Sequence, residues 1–195
     1  MRTNVSMILL AALAFAPPAL AQTGQAAPQA EAAPGNPSVG GVAMDATKTI
    51  AANAAAAPNL STLVSAVQAA GLAETLNGPG PFTVFAPTND AFGRLAPGTV
   101  DTLLKPEHKP SLAKLLTYHV VPGTITAEQL IEQAKAGGGK TTLTTVAGQP
   151  LTVEVTDNAI KLIDVNGNAA YVETANVRQS NGVVHVVNGV LVPKL

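Results

Sequence analysis

The hydrophobic period of this chain changes once, at Gly137-Gly138-Gly139, and that change limits the folds open to it. From Asp45 to Ala136 apolar residues recur three and four apart, as on one face of a helix. Leu60, Leu63, Val64 and Val67 form one such stripe, stopped by Gly71; Leu112, Leu115 and Leu116 form another over about 110–117. After the triple glycine the alternation is two-fold. Leu143–Val146, Leu151–Val155, Ile160–Ile163, Ala170–Val177 and Val183–Val187 read as successive strands joined by Gly-, Asn- and Pro-containing turns. Helices followed by a meander, within one domain's length, predict an α+β fold with helices packed on antiparallel sheet.

Local chemistry places several ends. Asp45 is expected to cap a helix from Thr47 to Ala56 that Pro58 stops, and Leu72–Leu76 to add a further turn. Thr88 is expected to cap a helix carrying Ala91, Phe92 and Leu95. Thr126 with Gln129 makes a capping box for a helix ending at the triple glycine. Val100, Leu103 and Leu104 suggest another short helix between Pro97-Gly98 and Pro106.

Residues 1–21 read as an export signal rather than as structure. Arg2 gives a charged start, Met7–Phe15 an apolar run, and Ala19-Leu20-Ala21 the small residues of a cleavage site after Ala21. That run is shorter than the roughly 20 apolar residues of a membrane span. Residues 22–40, rich in Ala, Pro, Gln and Gly, read as a flexible linker, and 41–195 as one domain. The chain has no cysteine, so an exported fold stands on packing without disulfides. Its formal charge of −1 offers no electrostatic footprint for nucleic acid or an anionic membrane. Past residue 21 the aromatics are Phe82, Phe85, Phe92, Tyr118 and Tyr171 alone, too few for a stacking groove.

Three segments carry a family resemblance. Phe82-Thr83-Val84-Phe85-Ala86-Pro87-Thr88-Asn89-Asp90-Ala91-Phe92 joins a strand to a helix start; Tyr118-His119 follows; Asn181-Gly182-Val183-Val184-His185-Val186-Val187 opens the last segment, which runs to Pro193. In this order they resemble the signature segments of the fasciclin (FAS1, beta-Ig-H3) domain family, over about Gly41 to Pro193. The resemblance implies a β-wedge of two antiparallel sheets with a layer of short helices. It also implies extracellular adhesion or matrix association rather than catalysis, with Tyr118 and His119 as the candidate partner-binding residues. At the positions where adhesive vertebrate domains carry Asp-Ile this chain has Asn176-Val177, and it has no Arg-Gly-Asp, so integrin recognition is not carried over.

No complete catalytic or metal-binding constellation is visible. His108, His119 and His185 are not at metal-ligand spacing. His119 and His185 suit hydrogen-bonded interior positions, and His108 sits in a charged, solvated stretch. Gly-x-Ser-x-Gly is missing, and Gly137–Gly139 lacks the preceding strand of a phosphate loop. Asn89 and Asp90 suit a helix start. With the adhesion or matrix role that the resemblance implies, the expectation is an exported, non-enzymatic bacterial adhesion or matrix-interaction module, secreted or periplasmic, with no cofactor, no metal and a protein or surface partner. The resemblance implies a second reading, since some members of the family are associated with carotenoid pigments: an extracytoplasmic carrier of a small apolar ligand such as a carotenoid or lipid, for which the many Ala and Val residues could line a groove between sheets and helices.

Overall fold

The computed structural model describes residues 36–95, 105–156 and 159–194. A hairpin of two very short strands, β1 (Ser38–Val39) and β2 (Val42–Ala43), turns at Gly40-Gly41, whose φ angles are 60° and 80°. Ser38 and Val39 thus belong to the ordered domain although their composition groups them with the leader, and Val39 is buried. Helices α1 (Ile50–Ala56), α2 (Ser61–Ala70) and α3 (Ala73–Asn77) follow, with a 3-10 turn at Pro58–Leu60. Helix α1 starts later than Asp45 suggests. The Asp45 carboxylate instead accepts from the Thr47 N–H at 2.9 Å, and Thr49 caps the helix. Gly71, at φ 74°, ends α2 in the left-handed conformation that costs glycine little.

Strand β3 (Phe82–Pro87) leads into α4 (Asn89–Gly93), capped by the Thr88 hydroxyl as the sequence predicts. After a 3-10 turn at Pro106–His108 come α5 (Lys109–Tyr118), β4 (Val120–Pro122) and α6 (Ala127–Ala136). Helix α6 carries the Thr126–Gln129 capping box, both halves formed. The helix expected near 100–104 lies outside the described residues. Strands β5 (Lys140–Thr144), β6 (Pro150–Thr156), β7 (Ala159–Ile163), β8 (Ala169–Gln179) and β9 (Gly182–Val187) complete the fold.

The seven long-range strands run β4-β3-β9-β8-β7-β6-β5. The α+β architecture is as expected, with two refinements. First, the two sheets are not separate: the eleven-residue β8 pairs with β7 through Ala169–Tyr171 and with β9 through Val172–Gln179. Register shifts around Thr174 bend it between the two roles. Second, β3 and β9 are parallel, Phe85 opposite His185, although the other pairs are antiparallel. Gly182 makes that approach possible, because a Cβ there would overlap the Phe82 carbonyl oxygen. At the far edges the Val146 N–H donates to the Val120 carbonyl at 2.8 Å, drawing the end of β5 toward β4.

Two apolar clusters result. One lies between the β3–β9 layer and helices α1, α2, α4 and α5; the other fills the wedge, around Phe85, Tyr118, Leu130, Leu151, Leu162 and Leu191. Strand β3 serves both. Its burial from Thr83 to Pro87 is continuous, as its unbroken apolar run predicts for a strand covered on two sides.

Candidate functional site

Tyr118 ends α5 with its ring pointing into the wedge. It has no accessible surface, and its hydroxyl donates to the Pro150 carbonyl at 2.9 Å. Burial pushes the phenol pKa up. His119 is 2 % exposed and turns the other way along the chain. Its Nδ1 pairs with the Leu115 carbonyl at 2.9 Å, while Nε2 accepts from the Leu191 N–H at 3.1 Å. That pairing fixes the Nδ1-protonated neutral tautomer, and burial pulls the pKa down to about 4. Neither side chain reaches the surface. The contact patch expected at Tyr118 and His119 is therefore corrected: both residues are internal fasteners, joining α5 to β6 and to the C-terminal segment.

His185 occupies the polar niche the sequence suggests. Its Nε2 donates to the Ile125 carbonyl at 2.9 Å, its Nδ1 accepts from the Asn176 N–H at 3.3 Å, and its ring stacks on Phe85. Burial lowers its pKa too. The two buried imidazoles are thus held neutral and engaged at both nitrogens. Among the described residues no group of three His, Asp or Glu side chains could hold a metal ion. The run Gly139-Lys140-Thr141 does spell the end of a phosphate loop, but it leads from helix α6 into strand β5, the reverse of the strand–loop–helix order such a loop requires.

Three asparagines are cross-links. Asn89 accepts from the Thr62 N–H and donates to the Pro58 carbonyl and the Ser61 hydroxyl, each at 3.0 Å, tying α4 to the start of α2. Asn181 accepts from the Ile50 N–H and donates to Leu76 and Gly78 carbonyls, holding α1 and α3 to the β8–β9 turn. Asn176, at φ 59° in the bend of β8, accepts from Ala127 N–H at 2.8 Å at the first residue of α6 and donates to Glu128 at 2.8 Å. Its neighbour Val177 is buried in the helix-side core. The signature segments are accordingly the stitching of the fold.

Among the described residues, two features stand out for binding. One is a cavity of about 320 Å³ between the helices and the β3–β9 layer. Its floor includes Phe82, Val84, Val177 and Val184; its roof includes Leu63 and Val67 of α2, with Leu72 and Leu76 beyond. It exists because α1, Ile-Ala-Ala-Asn-Ala-Ala-Ala, presents methyl groups where longer side chains would fill the space. Among the described residues, none that lines it is charged. The polar groups at its wall include Asn53 and Gln179, both buried and hydrogen-bonded to each other, with Asn53 also donating to the Asp45 carbonyl. The Ala- and Val-rich composition was the sequence signal for this space, and it equally signals close packing.

The other is the outer face of β5–β8. The register aligns Lys140, Glu154, Lys161 and Tyr171 in one row and Thr142, Thr152, Ile163 and Ala169 in the next. Glu154 bridges Lys161 at 3.2 Å and Lys140 at 3.3 Å, and these partners hold its carboxyl below the ordinary range. Tyr171 is 46 % exposed, in contrast to the fully buried Tyr118. Helix α6 packs on these strands, but Lys140, Thr142, Thr144 and Tyr171 remain exposed.

Known proteins share this arrangement. The model of the fasciclin domain matches residues 58–193. Protein sll1483 of Synechocystis is 48 % identical over 153 residues, 78 % of each chain. The immunogenic protein MPB70 of Mycobacterium bovis is 35 % identical over 202 aligned positions, 98 % of this chain and 94 % of its own. In structure the chain resembles a FAS1 domain pair from the insect cell adhesion molecule fasciclin I, with TM-score 0.66 and 19 % identity over 74 % of this chain; the likeness spans 50 % of that longer chain. With the strand-to-helix segment, the internal Tyr-His pair and the Asn-Gly strand all placed as the wedge requires, this chain belongs to the fasciclin domain family.

Proposed function

We propose that this chain is an exported, non-enzymatic interaction module that binds a protein or surface component of the bacterial envelope or its matrix. The observation that carries this reading is the β5–β8 face that the described residues leave uncovered, where an exposed tyrosine stands beside an ordered Lys–Glu–Lys row. An exposed tyrosine is the residue type enriched at interface centres, and the Lys–Glu–Lys charges beside it suit the polar rim of such a patch. Family membership supports the same class of role. The side chains best suited to acid–base chemistry, His119 and His185, are consumed by backbone hydrogen bonds. Export rests on the Arg2 to Ala21 pattern. The test compares wild type with Tyr171→Ser and Lys161→Glu for attachment of the full chain to cells and matrix of its own host. Loss of attachment at unchanged melting temperature is expected, and equal attachment would remove this face from the proposal.

A second reading, the carrier of a small apolar ligand, is favoured by the uncharged 320 Å³ cavity under α1. Its size falls at the lower end of the range of small-molecule pockets, about 300–1,000 Å³. Purification from the native host followed by native mass spectrometry tests it: a discrete added mass lost on organic extraction supports the carrier, and a bare chain from lipid-rich growth counts against it.

A further inference from the structure

We infer that the cavity selects a neutral, single-chain acyl amide or ester with a chain of about ten carbons. The inference rests on the carrier reading and narrows it by size, shape and charge. At ~30 Å³ of liquid volume per water-sized group, 320 Å³ holds about eleven heavy atoms. That matches one medium-length alkyl chain and leaves a C40 polyene mostly outside. The lining favours alkyl over fused-ring ligands. Its surfaces are methyl and branched aliphatic groups, with Phe82 and Phe85 the only aromatics, and Phe85 already stacks on His185.

Charge decides the head group. Among the described residues no lysine, arginine, aspartate or glutamate lines the cavity, and the one imidazole, His119, is held neutral by its two backbone partners. A carboxylate or ammonium head would enter without a counter-charge, its desolvation uncompensated. A carbonyl head meets a better wall. The Asn53–Gln179 pair engages Gln179 Oε1 as acceptor. Gln68 Nε2, Asn77 Nδ2 and Gln179 Nε2 all lie on the lining with no protein acceptor among the described residues; Gln68 and Asn77 are exposed, so the buried Gln179 is the amide hydrogen donor placed for an enclosed ligand carbonyl. Gln179 comes from the end of β8, which the β8–β9 pairing fixes, so the donor is presented on rigid backbone.

The experiment uses the purified full chain at pH 8, with decanamide, decanoate, hexadecanamide and β-carotene as probes, read by native mass spectrometry and thermal shift. Decanamide is expected to bind 1:1 and, at about 100-fold excess over its Kd, to raise the melting temperature by several degrees. Decanoate and hexadecanamide are expected at least tenfold weaker. Ala51→Leu, which fills the cavity from α1 without deleting any contact, should abolish decanamide binding while holding or raising the melting temperature. Gln179→Met should weaken decanamide at least tenfold. Decanoate binding as tightly as decanamide would overturn the neutral head. Undiminished binding in Ala51→Leu would overturn the location. A shift with β-carotene but not decanamide would overturn this inference and leave the carrier reading standing; no shift with any probe, together with a bare chain from the native host, would remove both.

Discussion

His119 shows how much a single interior side chain can control. Its folded pKa of about 4 lies below the ordinary 6.5, because burial penalises the imidazolium. The unfolded state therefore takes up a proton at higher pH than the folded state does. The neutral pairing stabilises the fold fully above pH 6.5, and that contribution is lost as pH falls from about 6.5 to about 4. Its size is roughly 3 kcal/mol at 1.36 kcal/mol per unit. His185 is shifted the same way and adds to the loss. Urea unfolding at pH 7.5 and pH 4.5 should show this fall, and proton NMR should show the His119 ring not titrating above pH 5.5. A ring midpoint at 6.5 or higher would refute the assignment. At the same scale, Asn89 and Asp90 should separate sharply. Asn89→Ala removes three hydrogen bonds between α4 and α2 and should cost about 2 kcal/mol, whereas Asp90→Ala, on an exposed side chain, should stay within about 0.5 kcal/mol in the same assay.

The elements divide into those readable from neighbouring residues and those set by distant ones. The Thr126–Gln129 box, the Thr88 cap and the Gly71 stop were legible because each needs only four or five consecutive residues. The parallel β3–β9 pair was not, since nothing local to Phe82–Pro87 names a partner a hundred residues away. Nor was the interior placement of Tyr118: a helix's last residue faces core or solvent according to what packs beside it, here β6. The bend in β8 is the same kind of case, and it carries its own prediction. Asn176 combines a left-handed backbone, which Asn tolerates better than Ala, with a side chain that satisfies the start of α6. Asn176→Gly keeps the backbone and loses the cap, at about 1 kcal/mol; Asn176→Ala loses both, at about 2 kcal/mol. Chemical denaturation of the two variants should rank them in that order, and equal costs would show that the φ angle contributes nothing.

Over the whole molecule, the cavity and the fold's stability both depend on residues that precede the region shared most clearly with the family. The fasciclin match begins at residue 58, yet Val39, Met44, Ile50 and Ala57 are all buried in the helix-side core. Asn36 extends the attachment. Its side chain accepts from the Arg178 N–H at 2.7 Å and donates to the Arg178 carbonyl at 3.0 Å, standing in for a strand neighbour on the bent end of β8. Composition assigned Asn36–Val39 to a flexible leader, because strands of two residues carry no measurable period. A chain starting at Pro58 would lose α1, the hairpin and the Asn181 hydrogen bond to Ile50. Each large apolar side chain so removed is worth about 1.5–3 kcal/mol, against a total stability of about 5–15 kcal/mol. Such a chain should lose cooperative thermal unfolding by circular dichroism, whereas one starting at Asn36 should melt within a few degrees of the full chain. A cooperative transition from the Pro58 start would mean that α1 and the hairpin are a detachable roof, and that the cavity beneath them is built by elements the fold can do without.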